Sequence, residues 1–178
     1  EKLVINDLKA VKSTFHDHNL KLESIVFPKN QVNHLKLLKK EGIKVYREKD
    51  LLSYNNSNPF LKLFKSQFDY WFGLDPILSL PYYNHGLIAV PGSLLFRISS
   101  LGIKKYQSNR VLIKKALKGL ELAVNEKKIF HIWFHPFNFA FKEKEHFEAL
   151  EIILKRAKEL RDEKKLEIYT LKDYVGNF

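Results

Sequence analysis

The chain has 178 residues, 45% of them apolar, which is enough for one globular domain with a real core. It has no cysteine, which excludes disulfides, thiolate nucleophiles and cysteine metal sites. Its net charge of +11 would suit a polyanion, but the lysines are scattered through helix-like segments such as "KLLKKEGIK" and "ILKRAKELRDEKK". Solvated helix faces are therefore the expectation, and nucleic acid is not.

No apolar run reaches membrane-spanning length. The opening "EKLVINDLKAVKSTF" is charged and lacks the compact apolar segment of a signal peptide. Methionine is absent, even at position 1, so the expectation is a trimmed chain or a fragment. The compartment stays open between cytoplasm and cell envelope.

Leu3, Val4, Leu8, Val11 and Phe15 recur at helical spacing and predict a helix ending near Asn19. "LESIVFP", residues 22–28, predicts a buried strand closed by Pro28. "QVNHLKLLKKEG" predicts a short helix stopped by Gly42, and "IKVYR", residues 43–47, the next strand. "NPFLKLFKSQFDYWFGL" predicts a helix with Pro59 in its first turn. "LDPILSLPYYNHG" reads as loop, and "LIAVPGSLLFRI" as two extended pieces hinged at Pro91-Gly92. A helix capped by Ser108 follows, then a strand at 129–135, a helix in "KEHFEALEIILKRAKELRDEKK" and a last strand at 166–171. This alternation predicts an α/β fold with a parallel sheet and helices outside it, in one domain over residues 1–178.

Four stretches could carry chemistry. In "IFHIWFHPFNF", residues 129–139, strand alternation puts His131, Trp133 and His135 on one face, and Pro136 ends the ladder. His135 is then at the C-terminal tip of a strand, where parallel α/β folds keep their chemistry. On a strand, His131 and His135 would be about 13 Å apart, too far to share one ion. The second stretch, "SIVFPKNQVNHL", places Lys29 and Asn30 at another strand tip. The third, His16-Asp17-His18, diverges around a helix and reads as a solvated helix end. The fourth, "VPGSLLF", has neither a nucleophile elbow nor a phosphate loop and reads as a turn.

"SIVFPKNQVNHLKLLKKEGIKVYR", "LIAVPGSLLF" and "FHIWFHPFNF", in this order, resemble the C-terminal part of polysaccharide deacetylases of the carbohydrate esterase family 4 type. The resemblance touches most of the chain. It implies a distorted (β/α) barrel, here incomplete, and removal of acetyl groups from a glycan sugar with a divalent metal, zinc by preference. It implies His135 as the proton donor to the leaving group, with Lys29, Asn30, His131, Trp133 and Asn138 lining the site. Lys29 stands where relatives commonly carry arginine, and lysine cannot form a bidentate carboxylate pair. The family's base aspartate and metal ligands come from motifs early in the domain. Neither motif stands near the start of this chain, so the expectation is that they lie upstream, in the same protein or on a separate segment. No residue of this chain is then a metal ligand, and the chain is the later half to two-thirds of the domain, inactive alone. Two alternatives stay open: a non-catalytic glycan-binding or scaffold domain of the same fold, and a basic polyanion-binding module. The aromatic stretch Phe68, Tyr70, Trp71, Phe72, Tyr82 and Tyr83 could stack on sugar rings or pack in a core.

Overall fold

The computed structural model describes residues 2–51, 58–98, 109–140 and 142–176. It is a mixed α/β structure in two compact units, each built from separate stretches of the chain. One unit holds residues 1–49, 80–91 and 169–178; the other holds 50–79 and 92–168.

In the first unit, α1 (Lys2–Asp17) precedes β1 (Ser24–Ile25), α2 (Leu35–Lys40) and β2 (Val45–Glu48). Gly42, at φ +84°, ends α2 as the sequence predicts, because an L side chain resists that conformation. The sheet runs β1-β2-β4-β3, with β3 at Tyr82–Asn84 and β4 at Leu87–Pro91. β1, β2 and β4 are parallel; β3 is antiparallel to β4. β4 is buried along its whole length, as its run of apolar residues requires of an inner strand. Leu8, Leu38, Ile43, Tyr46, Leu87 and Ala89 form the core.

Three expectations fail here: the buried strand expected over 22–28 is confined to Ser24–Ile25, both half-buried, with Val26 exposed. Tyr82–Asn84 is a strand rather than part of a loop, and it joins β4 through the two-residue turn His85-Gly86. Both turn residues have positive φ, 51° and 76°, the requirement of the tight turns that suit strand twist. The segment 166–170 is not a strand. Thr170 and Asp173 instead cap a short turn at Leu171–Tyr174, and Glu167, Ile168 and Tyr169 lie exposed. With no buried face on that stretch, its alternating pattern has nothing to hold it in a sheet.

In the second unit, β5 (Leu94–Leu95) pairs in parallel with β6 (Ile132–Trp133). The strand expected over 129–135 is confined to those two ladder residues. Ile129 makes an isolated antiparallel bridge to Ser79, and Pro136 opens a one-turn helix over Pro136–Ala140. Neither sheet closes on itself among the described residues. The core is made by α4 (Asn109–Glu126) against α5 (Glu143–Asp162). Leu112, Ala116 and Leu120 of α4 pack with Ala149, Ile153, Ala157 and Leu160 of α5 around Leu94, Phe96 and Ile98. Steps of three and four residues keep each stripe on one helix face. Ser108, the expected cap of α4, lies outside the described residues.

α3 (Pro59–Phe72), capped by Asn58, reverses that logic. Its Asp69 pairs with Lys115 of α4 at 2.6 Å, both side chains nearly buried, while Phe60, Leu63, Phe64 and Phe72 are exposed. No described helix is long and apolar enough to cross a membrane.

Candidate active site

His135 lies two residues beyond β6, not in the ladder, and two local devices hold it. Its backbone N–H donates to Asn138 Oδ1 at 2.9 Å, and its carbonyl accepts from the Asn138 N–H at 2.9 Å. Asn138 is buried, so one asparagine pins the His135 backbone from both sides. The imidazole stands edge to face against Trp133, centroids 5.5 Å apart at 89°. It stacks on Phe137 at 4.9 Å and 8°. The ring is therefore exposed yet held in one orientation by two aromatic neighbours. Asn138 acts here on the His135 backbone, with its carbonyl oxygen committed to that bond.

Trp133 is itself tied down. Its indole N–H donates to both oxygens of Asp50, at 3.0 and 3.1 Å. Gly92 makes this approach possible. A Cβ at Gly92 would overlap Asp50 Oδ1 and stand 3.1 Å from Trp133 Nε1, so the Asp50 carboxylate would have to shift to admit one. The Leu51 N–H donates to the Gly92 carbonyl at 3.2 Å, fixing the chain beside Asp50. Sequence reasoning missed Asp50. Its one signal was an acidic residue just past the strand in "VYREKD". His131 immediately precedes β6 and is bound through its backbone: its carbonyl accepts from the N–H groups of Ser93 and Leu94, and its N–H donates to Ser93 Oγ at 3.2 Å.

Lys29 and Asn30 belong to the first unit, in the turn Pro28–Asn30 after β1. Both are in the left-handed region, at φ 52° and 54°, a conformation uncommon for residues other than glycine. Asn30 Oδ1 accepts from Nη2 of Arg47, which is buried on β2. Lys29 is exposed. On the other face of β2, Tyr46 donates to Glu48 at 2.9 Å and accepts from Asn84 Nδ2 at 2.9 Å. Burial of the Tyr46 ring raises its pKa well above the ordinary tyrosine value. The sequence reading named none of Tyr46, Arg47 or Glu48 as site residues. Arg47 was legible only as a charge inside an apolar strand.

His16 and Asp17 are 4.0 Å apart, and both are largely exposed. Among the described residues no three His, Asp or Glu side chains converge as a metal site. Of the aromatic stretch, Phe68 and Phe72 pack on each other at 4.7 Å, and Tyr82 and Tyr83 are exposed on β3. The side chains of Tyr70 and Trp71 lie outside the described residues.

What the second unit can do chemically is bounded by these contacts. It presents a solvent-facing imidazole, fixed in orientation, able to give or take a proton, with apolar ring surface beside it. Family models, curated proteins and solved structures were all compared with the chain, and none matches.

Proposed function

We propose that this chain supplies the proton donor of a hydrolase that removes acetyl groups from a glycan, and that the complete domain is a distorted (β/α) barrel. The observation that carries the reading is the His135 imidazole, exposed to solvent yet clamped by Trp133, Phe137 and the Asn138 turn. A histidine kept only for packing is ordinarily buried with both ring nitrogens satisfied. An acid needs the opposite: access to substrate and a fixed direction. The parallel β1-β2-β4 set and the parallel β5-β6 pair support the fold, since parallel strands are the material of such barrels.

In this reading the protonated His135 gives its proton to the leaving amine nitrogen, or to the alkoxide of an O-acetyl ester, as the carbon–heteroatom bond breaks. The leaving group departs neutral, and the imidazole is left deprotonated. The exposed Phe137 gives the sugar an apolar surface to lie against. No step is assigned to a metal held by this chain.

The test is acetate release from a panel of N- and O-acetylated glycans by the full-length protein. His135→Ala should lower kcat by about 10²–10⁴-fold, the ordinary worth of general acid catalysis, with the fold intact. Near-normal turnover in that variant would overturn the assignment. So would the unaltered protein releasing no acetate from any member of the panel while binding some of them, which would mark a glycan-binding scaffold.

A further inference from the structure

We infer that Asp50 is a positioning residue for His135, acting through Trp133; its role in turnover rests on the function proposed above. The chain of contacts lies within one compact unit. Asp50 takes the Trp133 indole N–H on both carboxylate oxygens. Trp133 presents its ring perpendicular to the His135 imidazole at 5.5 Å. Phe137 stacks on the same imidazole at 4.9 Å. An indole fixed only by packing can turn about its side-chain torsions; an indole whose one donor is held by a charged acceptor cannot do so without losing that bond.

Three features support a purpose beyond simple burial. The bond spans 83 residues, so the tertiary fold must bring its ends together. Gly92 leaves room for it at a point where a Cβ would displace the Asp50 carboxylate. The element it orients is exposed, so the rigidity is delivered to the surface rather than to the core. In physical terms, the carboxylate fixes the indole, and the indole, perpendicular to the imidazole, fixes the plane of that ring.

The experiment uses the full-length protein in a Trp71→Phe background, which leaves Trp133 as the one tryptophan of this chain's two. The readouts are the indole N–H resonance, the ring resonances of His135 and the kinetics of acetate release. Asp50→Ala should move both sets of resonances. It should lower kcat by roughly 10-fold or more with KM unchanged, since misplacement by about an ångström costs on the order of 10²-fold. Asp50→Asn retains an acceptor oxygen and should keep the His135 resonances near their original positions. Trp133→Phe should move them as Asp50→Ala does, and the double variant should go no further, because both changes cut the same link. His135 resonances unmoved by Asp50→Ala would overturn the inference. So would Asp50→Asn disturbing them as much as Asp50→Ala, which would mean that charge rather than the hydrogen bond matters. If Asp50→Ala does not fold, Trp133→Phe decides: unmoved His135 signals overturn the inference. Turnover surviving in His135→Ala while Asp50→Ala still moves the His135 ring would sink the deacetylase reading and leave this one standing.

Discussion

His135 and His146 are eleven positions apart in the same unit, and they are opposites. His146 is fully buried on α5. Its Nε2 accepts from the Ile98 N–H at 3.0 Å, so its proton is on Nδ1, which donates to the Lys142 carbonyl at 3.1 Å. Phe96 and Phe139 close over the ring. Every polar atom of that imidazole is committed, and the ring can take no part in chemistry without unmaking the core. His135 is exposed, and among the described residues its ring meets aromatic surface in Trp133 and Phe137. The lesson is that residue type says little. What separates a structural histidine from a candidate acid is whether its nitrogens are spoken for.

The widest separation should come from exchanging the two losses. His135→Ala should remove turnover by the factor given above yet change stability by no more than about 0.5 kcal/mol, as surface substitutions do. His146→Ala should do the reverse. It leaves a cavity and orphans the Ile98 N–H and the Lys142 carbonyl, so unfolding in urea should show a loss on the order of 3 kcal/mol. Turnover per folded molecule should hold. A catalytic defect in His146→Ala at full folding would erase the contrast.

A smaller effect sharpens the exposed side. Gly92→Ala forces a methyl group against Asp50 and should cost about 1–3 kcal/mol through overpacking, while shifting the Trp133 indole resonance. A neutral outcome in both measurements would show that the Asp50–Trp133 approach is looser than its 3.0 Å bond suggests. Smaller still is Asn138→Ala. It removes one acceptor from the His135 N–H and should cost about 1 kcal/mol. His135 ring signals should broaden while those of His146 stay sharp. Broadening at both histidines would mean that the turn and the α5 core move as one.

Much of the scaffold was legible because it is local. α1, α2, α4 and α5 follow from apolar residues at helical spacing, and Gly42 marks its stop by conformation alone. The hinge at Pro91-Gly92 divides β4 from β5 as the two residues require. The sequence reading did not single out His146, which stands one helical step before Ala149, Ile153 and Ala157 on the buried stripe. The hairpin at His85-Gly86 was readable but hidden by the flanking Pro76 and Pro81, which make the stretch look like loop. The strand at 166–170 failed because alternation shows which face would be buried, not whether a partner exists to bury it.

The sequence by itself determined where the described helices run, because that follows from a period of a few residues, whereas the strand period that put His135 beside Trp133 stops at Trp133 and the turn after it sets the two rings together. Tertiary structure alone decided the rest. It brought Asp50 to Trp133 and Asn30 to Arg47, contacts spanning 83 and 17 residues. It also turned α3 so that Asp69 meets Lys115 and the phenylalanines face outward, against the ordinary sense of an amphipathic helix. Such pairings depend on which segments the core draws together, and no local period encodes that.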